Sequence, residues 1–437
     1  MILIYIDTII SPRLKYSLDF SFKEALGLKY EITDSKDEFL QFLGPKLAYG
    51  NNSPEEGAIF IKKNEFIDHK GSAVPNALQI QRWKKTTILF YNQPKGKIPF
   101  DIFSAIFFLM SRIEEYSKSS LDQHGRFNPT QSIAYKYGFL EEPIIDIWLF
   151  ELKKIIEIEF DFTIKTPSPK ISITFDIDMV SKYAHLSIWE TWKRKVYYLL
   201  KGRFLKLKKI KEVRKQQATD PYDAVWDKVA TISSEKLSCF ILLSKGHRYD
   251  TNVPLNTFDY PKWIASKKEQ LDFNLHPSYK GHESIQYWKN EQNLLSQSTE
   301  KSIIKSRFHF MKFQFPTSFQ QLIELGIKED YSMGYGSMNG YRASTSRAFY
   351  WYDVSKEEVT DLKIHPYCFM DSTAFFHEKR NTEDAFKYLQ KHSLQAINLS
   401  TPMITVWHNY LLADQDDWLS LLFRFSDLLK KNKHVTV

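Results

Sequence analysis

The chain holds only two cysteines, Cys239 and Cys368, in 437 residues. They allow a single bridge, so a disulfide framework and a four-cysteine zinc site are both excluded. Two reduced, buried thiols in a cytoplasmic protein are the expectation. No internal repeat and no Gly/Ser linker is present. Long hydrophobic runs are missing as well. The longest mostly apolar stretch, Ile102–Met110, contains Ser104 and falls far short of the roughly 20 residues of a membrane span. The first six residues run apolar to Asp7 without a basic start or a small-residue cleavage site, and they read as a first β-strand rather than a secretion signal. Paired Cys/His fingers and RNA-binding aromatic signatures are absent, so no nucleic-acid partner is expected. With 43% hydrophobic and 26% charged residues, the composition is that of a globular protein, not a disordered one. The 15% aromatic content fits either a sugar-binding surface or plain compositional bias.

Charge is unevenly placed. The net charge is +8, yet segment 193–215 alone holds eleven Lys/Arg and one acid, Glu212, leaving the rest of the chain near −2. The same segment, with Trp192 before it, carries Tyr197, Tyr198, Leu199, Leu200, Phe204, Leu205 and Leu207. Two readings fit. One is peripheral contact with an anionic membrane, such as the inner face of the cytoplasmic membrane. The other is a solvated helix whose apolar stripe packs on the body.

Residues 1–165 mix strands and helices as a smaller α/β domain. Strands are expected at Ile2–Ile6, 58–61 and 87–91, and helices over 11–26, 100–116 and 143–155. A polar loop, Asp122-Gln-His-Gly-Arg-Phe127, lies between the last two. Thr166-Pro-Ser-Pro169 marks a boundary. From 170 to 437 strands and helices alternate, with strands at 171–175, 239–243, 273–275, 307–310, from 364 and at 403–407, which predicts a parallel α/β barrel. Chemistry in such barrels sits where strands end. Asp176, Asp178, His276, His309 and His408 all fall at or just past predicted strand ends.

In the extended run Thr174-Phe-Asp-Ile-Asp178 the two acids point to the same side. One is suited to a divalent metal and the other to base catalysis. Asp-x-Asp also holds the metal of sugar-nucleotide glycosyltransferases. Two imidazoles and a carboxylate, however, form a common zinc set with a position left open for water.

Taken in order, Thr174-Phe-Asp-Ile-Asp178, Leu275-His-Pro-Ser-Tyr279, Arg307-Phe-His-Phe310, Leu322 through Gly326-Ile to Asp330-Tyr-Ser332, Gly340-Tyr-Arg-Ala343 and Val406-Trp-His-Asn409 resemble the motifs of the polysaccharide deacetylase (NodB-homology) family. The resemblance is closest to a bacterial subgroup with an extra N-terminal domain, which carries stretches like Phe100-Asp-Ile-Phe103, Ser111-Arg-Ile-Glu-Glu-Tyr116 and Asp122-Gln-His-Gly-Arg-Phe127. It implies a distorted (β/α) barrel of NodB type after a smaller α/β domain. It also implies a divalent metal, zinc by preference, and removal of acetyl groups from a glycan or glycoconjugate. Asp176 resembles the base, His408 the acid and Arg307 the arginine that holds the base. Asp178 and His276 resemble metal ligands, and Tyr279, Arg342 and Trp407 fall where substrate is bound. The family's second metal histidine comes four residues after the first, where this chain has Lys280. His309 and His282 are the remaining candidates. His309 is preferred because it is expected on a strand beside Arg307. Without a third ligand, the implied alternative is a catalytically impaired carbohydrate-binding or assembly module.

Overall fold

A computed structural model describes residues 1–75, 78–93, 96–116, 121–244 and 246–431. The last residues of the expected second unit, 432–437, lie outside this set. The structure is α/β, with one parallel sheet, one larger and mostly parallel sheet, and a small antiparallel hairpin.

The first sheet has strands β1 (Ile2–Ile6), β2 (Tyr30–Thr33), β3 (Lys46–Gly50) and β4 (Phe60–Lys62), paired in the order β2-β1-β3-β4. The expected strand at 87–91 is instead half of a small antiparallel hairpin, β5 (Gln81–Trp83) and β6 (Thr86–Ile88). The helix Ile102–Met110 is buried on every side. It starts at Asp101, whose carboxylate accepts the N–H groups of Phe103 and Ser104, both at 3.1 Å. Arg112 then takes φ +53° and ends the regular helix before 116.

The second sheet contains β7 (Ile171–Ile177), β8 (Leu237–Ile241), β9 (Leu271–Leu275), β10 (Lys305–Ser306), β11 (Glu329–Asp330), β12 (Phe349–Asp353), β13 (Glu358–Ile364), β14 (Phe369–Met370) and β15 (Met403–His408). Its order is β12-β13-β11-β10-β9-β8-β7-β15-β14, and only the β12–β13 pair is antiparallel. Ile364 ends a strand rather than starting one, and the chain turns where 307–310 was expected to be extended.

The two ends of this sheet are tied by sequence. β13 and β14 lie seven strand spacings apart, roughly 34 Å in a flat sheet. Only four residues lie between Ile364 and Phe369, a reach of at most about 17 Å over five chain steps. The sheet must therefore curl. Among the described residues no ladder joins its edges, so the expected barrel is an open, curled mixed sheet. The edge strand β14, only two residues long, offers few backbone groups to pair with the opposite edge.

One apolar core runs unbroken from Ile2 to Leu429 and draws on both sheets. Tyr16 donates its hydroxyl to the Tyr350 carbonyl at 2.7 Å, and Arg13 Nε donates to Glu357 at 2.9 Å. Cys239 and Cys368 are buried and unpaired. No helix among the described residues is long and apolar enough to cross a membrane.

Candidate metal centre

The parallel register lines up strand C-termini along one end of the curled sheet. His408 of β15 pairs directly with Asp176 of β7, and His276 and Arg307 follow the last residues of β9 and β10. Ligands of parallel α/β sheets bind at this end.

Asp178, His276 and His309 converge there, each able to offer one ligand atom within 4.8 Å of the others. Asp178 Oδ1 lies 3.3 Å from His276 Nε2 and 3.7 Å from His309 Nε2. Each imidazole is held from behind. His276 Nδ1 lies 2.5 Å from the Arg307 carbonyl, and His309 Nδ1 lies 3.1 Å from Asp250 Oδ1. A carbonyl accepts only N–H, so His276 carries its proton on Nδ1 and turns the Nε2 lone pair inward; Asp250 favours the same tautomer in His309. Asp178 Oδ1 is buried and accepts no hydrogen bond. A sealed carboxylate oxygen between two inward-facing imidazoles fits a divalent cation, because a buried charge otherwise lacks compensation. Burial opposes ionisation of Asp178, but positive charge on the imidazoles of His309, His276 and His408, protonated where no cation is bound, outweighs it and holds the carboxyl below its usual range.

His309 reaches this point from a turn, not a strand. Phe310 and Met311 adopt φ +61° and +50°, a left-handed conformation that costs non-glycine residues on the order of 1 kcal/mol each. Arg126 Nη1 secures the turn by donating to the Phe310 carbonyl at 2.7 Å. His282 lies elsewhere, edge-on against Trp288, and burial lowers its pKa to about 4.

Asp176 and His408 stand beside the metal set. Arg307 Nη1 donates to Asp176 Oδ1 at 2.7 Å, its Nη2 to Thr174 Oγ1 at 2.7 Å and its Nε to the Tyr331 carbonyl at 3.1 Å. Asp176 Oδ2 is buried and unbonded, 3.8 Å from His408 Nε2. Asp371 grips His408 twice, through the backbone N–H at 2.9 Å and through Nδ1 at 2.6 Å. Burial works against the imidazolium, but Asp371, Asp178 and Asp176 together raise the His408 pKa to about 9.

These groups open into a cavity of about 240 Å³, lined also by His124, Arg126, Phe310, Phe376, His377 and Tyr410. That is about eight times the volume share of one water, enough for an acyl group and part of a sugar ring. Tyr279 stands beside this wall, its hydroxyl 3.4 Å from His124 Nδ1 and its ring stacked on His247.

Two residues expected at the substrate lie away from the cavity. Trp407 neighbours His408 on β15, so alternation turns it to the opposite face, where it is buried and its indole donates to Thr405 Oγ1 at 3.0 Å. Arg342 is buried in an ion pair with Glu115. Sequence reading missed Asp250 and Asp371, since nothing local marks a lone Asp as the partner of a histidine 59 or 37 residues away. Asp122, His124 and Arg126 were expected only as part of a polar loop. The loop is ordered, with Arg126 Nε on Asp122 at 2.8 Å, but it forms part of the cavity wall as well.

Behind His276, Ser278 N donates to the buried carboxyl of Glu291 at 3.1 Å. Burial lifts the Glu291 pKa from 4.5 to about 8. A raised folded-state pKa contributes stability that is complete below about 4.5 and is lost as pH rises through about 8. Glu291→Gln keeps the acceptor and removes the ionisation. The variant is therefore expected to match the parent in unfolding free energy at pH 4.5 and to exceed it at pH 8, by about 4 kcal/mol.

Residues 2–161 match the model of a family described as a family of unknown function (DUF7033). No curated protein matches the chain. Solved structures similar to it include two described as polysaccharide deacetylases. One is described as a "putative polysaccharide deacetylase from Mycobacterium smegmatis", with 12% identity and a TM-score of 0.39 over 62% of this chain and 87% of that one. The other is described as a "probable Polysaccharide deacetylase from Pseudomonas aeruginosa PAO1", with 10% identity and a TM-score of 0.39 over 61% of this chain and 86% of that one.

Proposed function

We propose that the protein is a metal-dependent hydrolase that removes acetyl groups from a glycan or glycoconjugate. The observation that carries this reading is the set Asp178, His276 and His309, flanked by an arginine-held carboxylate and a carboxylate-held imidazolium. The order of strand-end motifs read from the sequence supports the acetylated carbohydrate as substrate.

Asp178, His276 and His309 would hold the cation, zinc by its preference for imidazole and carboxylate with an open position. Once bound, it supplies Lewis-acid polarisation of the acetyl carbonyl and of water. Asp176 takes a proton from the attacking water on Oδ2, the oxygen that Arg307 leaves free. His408 Nε2 delivers a proton to the departing amine nitrogen or hydroxyl oxygen, which leaves as the carbon–heteroatom bond breaks and acetate forms. Asp371 keeps that imidazole charged and aimed. Arg307 is a positioning residue, fully occupied by Asp176, Thr174 and Tyr331.

The test is acetate release by the zinc-loaded protein over a panel of N- and O-acetylated oligosaccharides. Release that chelation abolishes and zinc restores is expected. Stoichiometric zinc with no acetate from any member would reject the reading.

The loop 122–127 enters this function through His309. Arg126→Ala frees the Phe310 carbonyl, so zinc affinity should fall about 10–100-fold, the usual consequence of losing a group that orients a ligand. Competition with a chromophoric chelator measures it. Unchanged affinity would confine Arg126 to the cavity wall.

A further inference from the structure

The basic segment singled out in the sequence folds as two helices, Ile188–Leu200 and Phe204–Arg214. The face it buries is small. Tyr198, Ile210 and Val213 meet Tyr183 in a cluster separate from the main core. At about 100° per residue, Tyr198 and Thr191 share one side of the first helix. Trp189 and Leu200 lie on the far side, and Ile188, Leu199 and Trp192 lie beside them, in a stripe about 120° wide. Those five side chains are 55–86% exposed, and Phe204 and Leu205 at the start of the second helix are 64% and 84% exposed. The apolar stripe therefore faces outward, opposite to what a helix packed on the body requires.

Cations surround this stripe. Segment 193–215 has eleven Lys/Arg against one acid. Trp189 and Trp192 stack with ring centres 5.1 Å apart, and the Lys193 ammonium sits over the Trp189 ring at 5.0 Å. An apolar stripe with paired tryptophans and flanking lysines matches the layering of a phospholipid surface, acyl chains below and anionic headgroups above. A second copy of the chain fits poorly, because it would set +10 against +10.

We propose that the helix pair 188–214 docks the protein on an anionic bilayer surface, with Ile188, Trp189, Trp192, Leu199, Leu200 and Leu205 entering the interface. Ser187, the cap of the first helix, comes nine positions after Asp178, so docking holds the candidate metal centre within about 30 Å of where the helices begin.

Co-sedimentation of the full chain with vesicles of 70% phosphatidylcholine and 30% phosphatidylglycerol tests this, beside pure phosphatidylcholine. Binding to the anionic vesicles alone is expected, at least about tenfold weaker at 0.5 M than at 0.05 M salt, because surface attraction is screened. The variant Lys193→Glu, Lys195→Glu, Lys201→Glu, Lys208→Glu should lose binding. Trp192→Ser, Leu199→Ser, Leu200→Ser should lose it while the net charge stays the same. Both variants alter exposed side chains, and an unchanged denaturant midpoint establishes that they fold. No vesicle binding at low salt, equal binding to neutral vesicles, or a dimer in light scattering that the Ser variant dissociates would each overturn the proposal.

Discussion

Replacing Asp176 with Asn is expected to lower kcat by about 10²–10⁴-fold while the zinc stays bound, whereas Asp178→Ala is expected to lose metal and activity together. The two acids are two residues apart on one strand end, but their surroundings differ. Asp176 accepts Arg307 through Oδ1 and lies outside the group that converges on one point. Asn keeps an oxygen for Arg307, so the geometry persists and only the proton acceptor is lost. Asp178 is the sole carboxylate of the group, and its removal leaves two neutral imidazoles, too few donors for a site that retains zinc. Metal content by atomic emission and acetate release on the same preparations separate the two roles. Equal metal loss in both variants would end this assignment of base and ligand.

How much of the site was readable follows from the range of each interaction. The run Thr174 to Asp178 announced its own geometry, because period-two alternation puts Asp176 and Asp178 on one side and Phe175 and Ile177 on the other. The same rule applied to Val406-Trp-His-Asn409 would have turned Trp407 away from His408. Treating the motif as one block obscured that. His309 was placed in the metal set for a reason that fails, since 307–310 is not a strand. The turn depends on Arg126 reaching Phe310 across 184 residues, and no local propensity encodes such a contact. Alternation of strands and helices forecast a parallel sheet but not its edges. Whether a curled sheet closes depends on backbone pairing at strands as short as Phe369–Met370, below what hydrophobic periodicity resolves. The outward stripe of 188–200 was visible as amphipathicity, while the side it presents to the body required the Tyr198 cluster.

Arg342→Ala and Glu115→Ala are each expected to destabilise the fold by about 3–5 kcal/mol. Arg342 Nε donates to Glu115 Oε1 at 2.9 Å while its Nη2 engages Oε2, and Nη1 donates to the Gly334 carbonyl at 3.0 Å. Arg112 shares the same carboxylate through Nε at 2.8 Å and binds Glu114 through Nη2 at 2.7 Å. Two arginines and two glutamates thus neutralise one another with almost no solvent contact, and the Arg342 guanidinium also lies 4.1 Å from the centre of the Phe313 ring. The network joins the stretch after helix Ile102–Met110 to the loop after β11, so it fastens the first part of the chain to the second sheet. Removing one member strands an opposite charge in the core, which costs more than the pair contributes. The double variant Arg342→Met, Glu115→Leu removes both charges and should recover at least half of the loss, since apolar packing replaces buried ion pairs at little cost. Denaturant midpoints of the parent, the two single variants and the double variant make the comparison. A double variant as unstable as the sum of the singles would show that the hydrogen bonds to Gly334 and Arg112, rather than the stranded charge, set the cost. Unchanged zinc affinity in the folded single variants is the accompanying expectation, and a loss there would bring Arg342 back to the cavity.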